Sequence, residues 1–122
     1  VEDALAAVNV GADAIVVSNH GGRQLDGAMS SITALPAIVE AVGDRAEVWM
    51  DGGIRSGHDV LRAIALGAKG TMIGRAFLYG LGAKGQAGVR QTLEIIHKEL
   101  DLTLGLCGQS DLAKVDSSIL LK

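Results

Sequence analysis

Three short segments concentrate the residue types that handle anions and protons. They are Ser18-Asn19-His20-Gly21-Gly22-Arg23-Gln24-Leu25-Asp26, Asp51-Gly52-Gly53-Ile54-Arg55-Ser56-Gly57 and Gly74-Arg75. Glycines let backbone N–H groups approach a phosphate with no Cβ in the way. Arginines add charge in a planar fork that matches phosphate and carboxylate oxygens. A helix starting near Ser56, and another starting after Gly74, would each add the partial positive charge of its N-terminus. The pattern predicts an anion site built by Gly52, Gly53, Arg55, Gly74 and Arg75. The alternative is that these glycines only make tight turns and the arginines are solvated. His20 and Arg23 form a second constellation. An imidazole can take a proton near neutral pH, and an arginine three residues on can clamp a carboxylate. Together they suit a small acid with a proton to lose; the plainer account is a surface pair in a polar loop.

The elements that must position these segments are legible. Ala14-Ile15-Val16-Val17, Val48-Trp49-Met50 and Thr71-Met72-Ile73 are short apolar runs, each ending at one of the three segments. They read as parallel strands covered on both faces. Helical stripes lie between and after them: Ile32, Leu35, Ile38, Val39 and Val42; then Val60, Leu61, Ile64 and Ala65; then Val89, Leu93, Ile96 and Leu100. Pro36 is expected near the first turn of its helix, where its missing N–H costs least. Ser56 with Asp59 predicts an N-cap and Gly67 a C-terminal stop. Val1 to Val8 read as the middle or end of a helix, and the stretch from Ser110 carries only a weak helical signal. Strand–helix alternation of this kind implies a parallel sheet whose loops meet at the carboxyl ends of the strands. Three strands cannot close a barrel. A (β/α)8 barrel takes about 250 residues, so residues 1–122 correspond to about half of one, as a single partial domain.

Composition narrows the classes. The chain has 122 residues, 48% hydrophobic and 20% charged, enough to bury a core. A net charge of −3 and 2% aromatic content disfavour a nucleic-acid binder. One cysteine, Cys107, excludes an intramolecular disulfide and is compatible with a reducing compartment. No apolar run approaches the ~20 residues that span a bilayer. The expected location is the cytoplasm, with the cytoplasmic face of the inner membrane as the alternative.

The run SNHGGRQLDG, the segment Asp51 to Gly57 and the pair Gly74-Arg75 resemble the FMN-dependent 2-hydroxy-acid dehydrogenase and oxidase family. The likeness runs from about Gly11 to Cys107. The segment RAFLYGLGAKGQAG, from Arg75 to Gly88, leans toward the bacterial L-lactate dehydrogenase branch. The resemblance implies a (β/α)8 barrel of which this chain is the C-terminal part, about the last three βα units. It implies FMN as cofactor and a small L-2-hydroxy acid as substrate, with L-lactate to pyruvate the best match. It implies His20 as the base, Arg23 as the carboxylate holder and Ser18 as a flavin-ring contact. Asp51, Gly52, Gly53 and Arg55 match the first FMN phosphate segment, and Gly74 with Arg75 the second. The electron acceptor, whether oxygen, a quinone or a cytochrome, is not implied; a homo-oligomer is expected. The family's other flavin contacts, and the aspartate that orients the histidine, belong to its N-terminal half. The chain by itself is therefore expected to be an incomplete enzyme.

Competing readings remain. IMP dehydrogenase and the flavin-dependent isopentenyl diphosphate isomerase share glycine-rich strand ends but lack the His20 to Arg23 pairing. A half barrel could also be a non-catalytic fragment that self-associates through bare sheet edges and a wide apolar face. Gly80-Leu81-Gly82-Ala83-Lys84-Gly85 is a literal G-x-G-x-x-G, but no strand precedes it, and a helix–helix connection is the better account. His58 and His97 read as helix-surface residues, Cys107 as a small buried group, Phe77 and Tyr79 as packing, and Lys98-Glu99 as a solvated face. No metal-ligand spacing repeats.

Overall fold

The computed structural model describes residues 1–121. A three-stranded sheet forms the centre: β1 (Ala14–Val17), β2 (Glu47–Met50) and β3 (Gly70–Thr71), in that order with both pairs parallel. Helix α1 (Glu2–Asn9) precedes β1, α2 (Ser31–Val42) connects β1 to β2, α3 (Gly57–Ala65) connects β2 to β3, and α4 (Arg75–Leu106) follows β3. Apolar residues on the strands and on α2 and α3 make one core, with Val17, Leu35, Val42, Val48, Met50 and Ala63 buried. Leu35 and Val42 supply the inner stripe of α2, and burying each stabilises the fold by ~1.5–3 kcal/mol. The positive-φ glycines Gly11 and Gly67 end α1 and α3 before their strands, as predicted for Gly67.

Register decides where the loops begin. Val17 pairs with Met50, and Met50 with Thr71. Ser18, Asp51 and Met72 therefore leave the sheet at one level, and the three segments after them share one rim. Gly70 is required by a close approach: a Cβ there would collide with the Trp49 ring in the neighbouring strand.

Several expectations need correction. The third strand is Gly70–Thr71 rather than Thr71 to Ile73. Among the described residues it is paired on one side only, so the ladder continues just to the Met72 N–H, which donates to Met50 O at 2.9 Å. Pro36 lies a full turn past the start of α2, on its exposed side, where water can meet the carbonyl that loses its partner. Cys107 is exposed, at the end of α4 rather than in the core. The stretch after Ser110 holds two short 3-10 turns, Leu112–Lys114 and Ser117–Ile119.

Helix α4 bends sharply at Lys84 and Gly85, where φ reaches 58° at the glycine. Its two arms then fold back so closely that a Cβ on either Gly80 or Gly88 would meet the other's carbonyl. The G-x-G-x-x-G motif is thus a helix corner, with Gly80 and Gly82 inside the first arm rather than at its cap. The second arm packs across the first residue of α3, where Gly57 touches the backbone of Ile96, Glu99 and Leu100. No helix among the described residues is long and apolar enough to cross a membrane.

Candidate functional site

The first segment opens with a left-handed turn. His20, Gly21 and Gly22 have φ of 55°, 68° and 72°. For glycine this is easy; for histidine it is a strained conformation of the kind that clusters at functional sites. Local hydrogen bonds hold it. Ser18 Oγ accepts the His20 N–H at 3.1 Å, and Ser31 Oγ accepts the Asn19 N–H at 3.2 Å. Asn19 Nδ2 donates to Met29 O at 3.3 Å, tying the loop to the start of α2. Asp26 Oδ1 accepts the N–H of the next residue, Gly27, at 3.1 Å.

The second segment is held differently. Ser56 and Asp59 form the predicted capping box of α3. Asp59 Oδ2 accepts from the Arg55 N–H at 3.0 Å, the Ser56 N–H at 3.1 Å and Ser56 Oγ at 3.1 Å. Glu99, from the second arm of α4, accepts the Gly57 N–H at 2.9 Å. Two carboxylates of the chain itself therefore occupy the N-terminus of α3. This corrects two expectations: that helix end is not open to a phosphate, and Glu99 turns inward rather than lying on a solvated face. The N-terminus of α4, by contrast, begins at Gly74 and Arg75 with no side-chain cap.

These parts meet in one open cleft of about 700 Å³ at the carboxyl ends of the strands. His20, Arg23, Asp51, Gly52, Gly53, Arg55, Gly74 and Arg75 all line it. Arg75 Nη2 lies 3.4 Å from where a Cβ on Gly21 would stand, so the third segment reaches across to the first. A Cβ on Gly52 would stand 3.1 Å from both Asn19 Oδ1 and Ser31 Oγ, so the first and second segments also touch. Among the described residues the side chains of Arg23, Arg55 and Arg75 make no ion pair. Asp51 Oδ1 is buried with no hydrogen-bond partner there. Such an acceptor carries a desolvation cost until a donor reaches it.

Ser18 is not among the lining residues; its hydroxyl is spent on the His20 loop. The sequence reading missed Asn19 and Ser31, although Ser31 is buried. Their types suit a turn and an N-cap equally, and only the contact with Gly52 sets them apart. It also assigned Tyr79 to packing, whereas Tyr79 is 74% exposed and stands on the cleft wall with Leu78 and Thr92. His58 and His97 are exposed on helices, and no group of metal-binding side chains forms among the described residues.

The chain is similar to known proteins over nearly its whole length. The L-lactate dehydrogenase of Caulobacter sp. (strain K31) is 60% identical over 121 residues, which is 99% of this chain and 32% of that protein. The L-lactate oxidase of Nostoc sp. (strain PCC 7120 / SAG 25.82 / UTEX 2576) is 54% identical over 119 residues, 98% of this chain and 33% of that protein. A crystal structure of mandelate oxidase with benzoyl-formic acid superposes with a TM-score of 0.88 at 54% identity, covering 91% of this chain and 33% of that one. A mandelate oxidase variant bearing a monooxide FMN adduct superposes equally well, at 0.88. The chain spans about a third of the length of these relatives. The family model for FMN-dependent dehydrogenases matches residues 1–122, and with that match the chain belongs to the FMN-dependent dehydrogenase family.

Proposed function

We propose that this chain is the part of an FMN-dependent L-2-hydroxy-acid dehydrogenase or oxidase that holds the phosphate end of FMN and the acid–base group. The observation that carries this reading is the convergence of His20, Arg23, the Asp51–Arg55 segment and Gly74-Arg75 on one cleft. The residues fit the cofactor. A Cβ built on Gly53 or Gly74 would meet nothing within 4 Å, so their backbone is open to a close ligand. Arg55 and Arg75, without ion-pair partners among the described residues, face a dianion's demand for charge. The orphaned Asp51 Oδ1 awaits a donor such as a sugar-alcohol hydroxyl.

In this reading Gly53, Arg55, Gly74 and Arg75 bind the phosphate, aided by the uncapped start of α4. Arg23 holds the substrate carboxylate in its fork. Conversion of a 2-hydroxy acid to a 2-oxo acid releases two electrons and two protons, and bound FMN supplies the acceptor for the electrons. His20 takes a proton at its imidazole, from the hydroxyl or from C2. L-lactate is the substrate we propose, supported by the names of the 60% and 54% identical relatives.

Two measurements test this. Joined to the remaining two thirds of the barrel, the His20→Ala variant is expected to keep bound flavin while losing about a thousandfold in turnover. Loss of flavin with unchanged turnover per bound flavin would overturn the assignment. The chain alone, mixed with FMN and L-lactate, is expected not to bleach the flavin; bleaching at an enzymatic rate would refute its incompleteness. A second reading, a self-associating fragment, is favoured by the bare edges β1 and β3 and by Val16 and Met72, each 45% exposed. Sedimentation of the chain decides it: a clean monomer with cooperative unfolding excludes that behaviour.

A further inference from the structure

We propose that Glu99 is a positioning residue of the anion site. It rests on the reading of the cleft as the phosphate end of an FMN site. The two phosphate-facing segments are far apart in the chain, yet one helix governs both. The first residue of α4, Arg75, lines the cleft. Its second arm returns to α3, and Glu99 accepts the Gly57 N–H at 2.9 Å across 42 residues of sequence. The contact is close enough that no side chain fits between: a Cβ on Gly57 would collide with the backbone at Leu100, Glu99 and Ile96. Gly57 follows Ser56, and the Ser56 and Arg55 N–H groups are both held by Asp59. The chain of contacts therefore runs from Glu99 through Gly57 and the capping box to the backbone of Arg55.

The geometry gives Glu99 a specific task. Loops that bind phosphate through backbone N–H groups lose affinity steeply when the loop drifts. The Arg55 segment has no strand to hold it beyond Asp51, so its distance from Arg75 is set by how α3 sits on α4. Glu99 fixes that seat. Its carboxylate also occupies a helix end that could otherwise compete for the phosphate, leaving the uncapped start of α4 as the open one. Acceptor reach is what matters, so glutamine, whose Oε1 reaches as far, should replace it, and aspartate, one methylene shorter, should not.

The test is titration of the isotopically labelled chain, joined to the remaining part of the barrel, with FMN, riboflavin and inorganic phosphate, followed by amide NMR. The wild-type protein is expected to bind FMN in preference to riboflavin, with shifts at Gly53, Arg55, Gly74 and Arg75. Glu99→Ala should lower FMN and phosphate affinity about fivefold, with the shifts reduced at Gly53 and Arg55 more than at Arg75, and riboflavin unaffected. Glu99→Gln should stay within about twofold of wild type and Glu99→Asp should resemble alanine. Where alanine collapses the dispersion of the amide spectrum, the Gln and Asp pair decides. A chain that takes FMN no better than riboflavin overturns the reading of the cleft, and the role of Glu99 with it. A chain that discriminates, with alanine or aspartate at 99 binding as tightly as glutamate, overturns the role of Glu99 alone.

Discussion

The two ends of the same sheet carry clefts of opposite character. At the carboxyl ends, three arginines face one carboxylate, Asp51, in a cleft of about 700 Å³. At the amino ends, Asp13, Asp44, Glu47 and Asp111 outnumber Arg45 and Lys69 around a cleft of about 1000 Å³. Size does not separate them; the sign of the charge does, and so does the engagement of Arg45. Arg45 is engaged by the fold itself, donating to Asn9 Oδ1 at 3.2 Å, Val42 O at 3.3 Å and Ala41 O at 3.4 Å. The arginines of the other cleft have no ion pair among the described residues, and its Asp51 Oδ1 has no partner. Side chains that hold a fold together are already satisfied, whereas a ligand site keeps its donors and acceptors free. On this contrast the cleft at the carboxyl ends is the one we propose as the site, and the cleft at the amino ends we read as scaffold.

Changes at each end should sharpen this contrast. The largest effect is expected from charge reversal at the carboxyl end. Arg75→Glu should reduce FMN affinity at least about a hundredfold, since it removes a phosphate partner and adds a repelling charge. Titration followed by flavin fluorescence or amide NMR measures it, and a change below about threefold would break the comparison. An intermediate effect belongs to the scaffold that supports the site. Asp59→Ala removes the capping box and the hold on Arg55, and should lower stability by about 1 kcal/mol in denaturant unfolding. A larger melting loss with unaltered anion affinity would place Asp59 in the fold and not behind the site. The smallest effect is expected at the amino end. Lys69→Glu should change FMN affinity by less than about twofold, because the charge is exposed and lies across the sheet from the phosphate. A tenfold loss there would mean that net charge, rather than local placement, attracts the anion.

Much of the molecule was legible without coordinates. β1 spans the expected Ala14 to Val17, and β2 adds only Glu47. The Ser56 and Asp59 cap is where local spacing predicted it. These features obey short-range rules: a run of β-branched residues, or a hydroxyl three residues before a carboxylate. Pro36 misled because a first-turn proline is a preference, and an exposed second-turn position also tolerates it. Glu99 misled because its neighbour Lys98 and the surrounding helix suggest solvent, and nothing nearby in the chain announces Gly57. Cys107 and Tyr79 were assigned inward on average behaviour, while the described packing leaves both outside.

The sequence by itself determined which residue types stand at each strand end, the strand–helix alternation that sends those ends to one side, and the family signature around His20. Only the tertiary structure decided that the start of α3 is closed by Asp59 and Glu99 while the start of α4 stays open, that Arg75 reaches Gly21, and that Asn19 and Ser31 brace Gly52. The physical reason is range. Propensities, caps and turns act over three or four residues, whereas which donor is left free depends on side chains brought together by packing across tens of residues.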